Sequence, residues 1–335
     1  MKKIIMVVSI MLLFSITPVY AKQQIIRKAF LPNFNTGTVT IVDLINKNVV
    51  GAITAGDRSY GIATRDKSGS VWVGDEIGQK VVKINAFTHE IEAEYYLGHI
   101  PVGIAADPNR NRLYVTYNRI EDSSLAIFDI KTGKLIKRVN AGRNAFAVAV
   151  NPKNGHIYVV NRYYDETVSF GTLVVVNGGS LEVINEIPVG FDPLGIAVHP
   201  TGDYVYTVGD GRIVYIIDTI NYSLTGTVGV GYQPWGIATN NEGDRLYVVN
   251  RRKDYQTANG SLSVIDLTSL AVIRNVDLGN NPHGVTVSSD DTEVYVAQPG
   301  ENNLLVIETG DYTITHNIDV GGQPFSVGDF LFEIR

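Results

Sequence analysis

Apolar positions in this chain fall in short runs rich in β-branched and aromatic residues: TVTIVD, KVVKIN, RLYVTY, IYVVN and YVYTVG among them. Turn-forming clusters such as NPKNG, HPTGD and NNEGD separate them. No stretch sustains the 3.6-residue apolar period of an amphipathic helix, so helical repeats are excluded and the pattern predicts strands throughout. The runs also recur in a fixed order. A segment of the form Gly-x-x-Pro-x-Gly-Ile-Ala appears as GHIPVGIAA from Gly98, GFDPLGIAV from Gly190 and GYQPWGIAT from Gly231. Looser copies begin at Gly56, Gly142, Gly279 and Gly321, and the intervals between copies are 42, 44, 48, 41, 48 and 42 residues.

Each of the first six copies is followed by an aromatic inside an apolar run (Trp72, Tyr114, Tyr158, Tyr206, Tyr247 and Tyr295), and Phe30 supplies a seventh ahead of the first copy. Next comes an apolar run closed by a short acid or amide, at Asp43, Asn85, Asp129, Asn177, Asp218, Asp266 and Glu308, and then a looser run leading to the next Gly. Four strands in roughly 40–50 residues is the arithmetic of a propeller blade. The reading is an all-β, seven-bladed β-propeller of four-stranded blades. The last copy, Pro324 to Arg335, lacks the elements that should follow it, while the N-terminus begins one element late. The C-terminal segment is therefore expected to supply the inner strand of a blade whose other strands lie within residues 27–55, closing the ring without free edges. The repeated aromatics are expected to fill the gaps between blades, and the acids and amides to cap turns.

The strings RLYVTYN from Arg112, HIYVVN from His156 and RLYVVN from Arg245 resemble the YVTN β-propeller repeat family of bacteria and archaea. The resemblance spans nearly all of residues 25–335. It implies the propeller fold but no particular activity, because the repeats are structural and no catalytic motif accompanies them.

Composition narrows the function. With 44 % hydrophobic and 19 % charged residues the chain can build a large core. The absence of Cys excludes disulfides, Cys-ligated metals and a Cys nucleophile. A net charge of −6 makes a general nucleic-acid binder unexpected. Lys2 and Lys3, the apolar run from Ile4 to Ile16, and Ala21 read as a secretory signal peptide over residues 1–21, leaving one propeller domain over residues 22–335 in the periplasm or outside the cell. No membrane span is expected after its removal, and a monomer is expected.

Function should reside where the repeat varies. The loops between blades and the loops after each second strand open on one face, here the top. Arg119, Arg162 and Arg251 follow second-strand asparagines there, and Arg58 and Arg143 lie on crossing loops of the same face. The residue before each inner-strand glycine position varies: Tyr60, Val102, Phe146, Leu194, Trp235, His283 and Phe325. The predicted ligand-binding set is Arg119, Arg143, Arg162, Arg251, Tyr60, Phe146, Trp235, His283 and Phe325. Guanidinium groups suit carboxylates and phosphates, and aromatic faces suit rings. The leading reading is a non-catalytic propeller binding a small acidic or aromatic ligand, or a protein partner, on its top face. The chain has six His but no Gly-x-Ser-x-Gly, His-Glu-x-x-His or phosphate loop. No catalytic residue, metal site or cofactor is expected. The alternatives are a propeller enzyme of lactonase, lyase or dehydrogenase type, with a metal or an acid–base pair at the channel mouth, and a nucleic-acid binder.

Overall fold

A computed structural model of the chain describes residues 25–64, 69–117, 124–162, 170–209, 211–253, 256 and 259–334. The expected signal peptide and Arg119 lie outside the described residues. The described residues contain strands and turns but no helix, arranged as seven four-stranded antiparallel sheets. None of them forms a helix long and apolar enough to cross a membrane.

Blade 1 comprises Ser59–Ala63, Ser70–Asp75, Lys80–Asn85 and Ile91–Tyr96, in that order from the axis outward. Blades 2 to 6 repeat this plan, with inner strands Pro101–Asp107, Ala145–Val150, Pro193–Val198, Tyr232–Thr239 and Val285–Val287. Blade 7 is composite. Leu331–Ile334 pairs antiparallel with Ile26–Pro32, which continues into Thr38–Asp43 and Asn48–Thr54. The register places Arg27 opposite Glu333 and Lys28 opposite Phe332. A second tie runs to blade 1, where Val327 N–H donates to Tyr60 O at 2.9 Å and Ile62 N–H donates to Val327 O at 3.1 Å.

The repeated aromatics do what their spacing predicts. All seven are buried, and each packs into the apolar cluster of the next blade. Trp72 of blade 1 joins Leu113, Val115 and Phe128 of blade 2, and Tyr247 of blade 5 joins Val294, Val296 and Leu305 of blade 6. The cores therefore lie between blades, and each blade depends on its neighbours for burial. The acid and amide series caps turns. Asp43 Oδ1 accepts the Ile45 and Asn46 N–H groups, and Asn177 Oδ1 those of Gly179 and Ser180. Asn85, Asp129, Asp218 and Asp266 act alike. In blade 6 the cap is Asp311, which accepts from Thr313 N–H, rather than the longer Glu308.

Glycine serves two ends. On the inner strands, a Cβ at Gly236 would lie 2.2 Å from the His283 carbonyl oxygen of the next blade, and one at Gly195 2.2 Å from that of Trp235. Only a residue without a side chain lets neighbouring inner strands approach so closely. In the crossing loops, five of the seven leading glycines have positive φ, but Gly231 and Gly279 do not. There the need is space, because a Cβ would meet the Asn250 side chain or the Glu301 carboxylate.

Candidate functional site

Tyr60, Val102, Phe146, Leu194 and Trp235 lie in the first half of their inner strands, His283 just before Val285–Val287, and Phe325 in the segment leading to Leu331–Ile334, all at the top of the channel. Val102, Leu194 and His283 are buried, whereas Tyr60, Phe146, Trp235 and Phe325 are half-buried. Their rings form a continuous arc. Phe146 meets Trp235 edge-on with centroids 5.8 Å apart, Trp235 meets His283 at 4.5 Å, and His283 meets Phe325 at 4.0 Å. The arc continues from Phe325 to Phe34 at 5.5 Å and from Phe34 to Tyr60 at 6.0 Å. Phe34 was not among the predicted site residues. It belongs to the loop after the second strand of blade 7, directly after Asn33, and has no aromatic counterpart in the other repeats. Phe146 and Trp235 reach one another past blade 4, so the top of the channel is filled by rings. Beneath them lies a cavity of about 450 Å³, lined by small inner-strand residues such as Ala105, Ala149 and Ala238 and reaching the Pro108–Arg110 and Asn240–Asn241 turns at the other face.

Guanidinium groups lie over three of these rings: Arg162 over Phe146 at 5.0 Å, Arg251 over Trp235 at 5.0 Å, and Arg58 over Phe34 at 5.7 Å. Arg58 lies on a crossing loop of the top face, as expected, but stood outside the predicted ligand-binding set. Arg162 makes a bidentate pair with Asp192, Nε to Oδ1 at 2.6 Å and Nη2 to Oδ2 at 2.9 Å. Arg251 Nε instead donates to Asn281 Oδ1 at 2.6 Å. Arg143 is exposed on its crossing loop. The arrangement thus brings together Tyr60, Phe146, Trp235, His283, Phe325, Arg162 and Arg251.

His283 is fully buried, and its Nε2 lies 3.3 Å from Asn281 Oδ1. Burial, and then the Arg251 charge, hold its pKa well below the usual histidine range, so the ring is neutral at ordinary pH. Burial, and then the Arg252 charge, also lower the Arg251 guanidinium from its ordinary value. The buried second-strand amides on this face pack under the crossing loops, as where Asn161 Nδ2 donates to Ala141 O at 2.8 Å. No group of three or more His, Asp or Glu side chains suited to a metal ion occurs among the described residues.

Known structures share this architecture. A chain of the hydrazine synthase of Kuenenia stuttgartiensis superposes with a TM-score of 0.73 at 16 % identity, over 84 % of this chain and 95 % of that one. The likeness is one of fold. A functionally unknown protein from Desulfotomaculum acetoxidans DSM 771 superposes with a TM-score of 0.75 at 14 % identity, over 89 % of this chain and 97 % of that one. No model of a known protein family matches the chain, and no curated protein matches it in sequence.

Proposed function

We propose that this chain is an exported, non-catalytic propeller of the YVTN-repeat type that binds a small acidic or aromatic ligand on its top face. The observation that carries the reading is the set of three guanidinium groups laid over one continuous arc of six rings. Such a surface offers flat apolar faces for a ring and, at Arg251, which forms no ion pair among the described residues, a cationic donor for an acid. The basic start, apolar run and Ala21 of the N-terminus support export, and the YVTN-like strings support the repeat type.

Tryptophan fluorescence tests it. The chain has two Trp: Trp72 is fully buried between blades, whereas Trp235 is half-buried beneath Arg251. Titration with benzoate, a minimal acidic ring, should produce a saturable change that disappears in Trp235→Phe. Joint replacement of Arg162 and Arg251 by Ala should weaken it while the melting temperature stays nearly constant. A flat titration, together with native mass spectra of periplasmic protein free of any bound species, would end this reading.

A further inference from the structure

The top face repeats one contact with a difference in charge. Arg162 and Arg251 each follow a second-strand asparagine, and each reaches a crossing-loop residue thirty positions later. Those partners, Asp192 and Asn281, both hold left-handed backbones, with φ of 39° and 52°. Where blade 3 meets blade 4 the partner is an aspartate, and the guanidinium charge is neutralised within the protein. Where blade 5 meets blade 6 the partner is an asparagine, which accepts a hydrogen bond but carries no charge.

The imbalance is greater because Arg252 follows directly. Arg251, Arg252, Gln233, Asn280, Asn281 and Gly300 line a cavity of about 210 Å³ between blades 5 and 6. No carboxylate among the described residues forms an ion pair with either arginine. Glu301, beside Gly300, turns its carboxylate to the Asn280 N–H at 2.7 Å and to Asn303 Nδ2 at 3.4 Å. Two like charges line this one cleft, the Arg251 guanidinium lying over an indole and half withdrawn from water, and an anion held there would relieve their repulsion. Gln233 and Asn280, which line the same cleft, carry neutral side-chain amides.

We propose that this cleft is an oxyanion site, taking a carboxylate or a phosphate ester group of the ligand on Arg251 and Arg252, with the Asn281 position setting whether the anion comes from the ligand or from the protein. The inference rests on the top-face reading and assigns the anionic end of that ligand to one cleft. Arg162 is then the closed version of the same device, with its counter-ion built in.

Isothermal titration at low salt with inorganic phosphate, and separately with benzoate, tests the assignment. Saturable 1:1 binding by one or both is expected, and the better of the two identifies the anion. Arg252→Ala should weaken it about tenfold, the scale of a lost charge-assisted contact. Asn281→Asp keeps the side-chain volume and the tolerated backbone conformation, and it should abolish binding by installing the pair seen at Arg162. The converse change, Asp192→Asn, should add a second, weaker equivalent. Thermal melting of each variant establishes that it is folded. Anion binding indifferent to both Arg252→Ala and Asn281→Asp would overturn the proposal, as would no binding of either anion. Benzoate binding that responds to Arg162→Ala but not to Asn281→Asp would leave the top-face reading standing and remove this one alone.

Discussion

Deleting Pro324 to Arg335 should collapse the whole ring rather than fray one end. The segment supplies the inner strand of blade 7 and the tie to blade 1. Phe330, Phe332, Val327 and Leu331 are buried, at 0 %, 2 %, 6 % and 9 % exposure. Burying such a side chain is worth roughly 1.5–3 kcal/mol, so losing four removes about 6–12 kcal/mol, an upper estimate because denatured chains bury some surface already. The deletion also takes Glu333 from Arg27, a nearly buried pair at 3.0 Å to which the more exposed Asp290 adds a contact at 2.6 Å. A typical domain is held by about 5–15 kcal/mol, so the truncated chain should not fold stably at room temperature. A finer version is Phe332→Ala. Phe332 meets Phe30 and Phe87 edge-on at 6.4 and 5.4 Å, tying the C-terminal strand to blades 7 and 1. Its truncation should cost about 3–5 kcal/mol. Circular dichroism melting and size exclusion chromatography check both variants. A truncated protein that elutes as a monomer and melts within a few degrees of the parent would refute closure by this strand.

Two further outcomes are expected. At the closing cluster, burial acts to raise the carboxyls of Asp290 and Glu333, but hydrogen bonds outweigh it: from Thr292, Ser288 and Arg27 for Asp290, and from Arg27 and Ser289 for Glu333. Both therefore titrate below the usual carboxylate range, so their contribution is complete above about pH 5 and fades as pH falls through the lowered folded values. Glu333→Gln should flatten the acid limb of the melting-temperature profile, and a limb as steep as the parent's would assign acid sensitivity elsewhere. On the inner strands, Gly236→Ala should destabilise by about 1–3 kcal/mol, because its Cβ would press on the His283 carbonyl. Ala147, which stands at the equivalent position of blade 3, should tolerate Gly at a cost of no more than about 1 kcal/mol. Melting both variants separates crowding from a general preference for glycine.

The parts of this molecule dictated by local periodicity could be read from the sequence. Trp72, Tyr114 and their counterparts announce themselves by recurring, because every inter-blade gap poses the same packing problem. Likewise Asp43 and Asn177 close equivalent turns. The end of the chain was legible for the opposite reason: a repeat unit missing three elements has to find them elsewhere. The top face was only half legible. The positions of Phe146, Trp235 and His283 followed from the repeat, but the convergence of their rings over the channel depends on side-chain direction across the axis. Phe34 stood outside the motifs used to choose candidates, and Arg58, though placed on a crossing loop of this face, was not among them. The pairing of Arg162 with Asp192 and of Arg251 with Asn281 joins loops of different blades, a relation that becomes visible only when the crossing loops are placed in space.

The composite blade also governs how the ring responds to force. Ile26 and Ile334 are register partners at one end of an antiparallel pair. Tension applied between them loads the first rung alone, so the hydrogen bonds part in succession, as in a zipper, instead of sharing the load in shear. The phenylalanines behind the seam offer little resistance until the rungs ahead of them have opened. A ring whose blades share their cores is thus mechanically soft along one line, and tension between Ile26 and Ile334 should unroll it from blade 7 at low force.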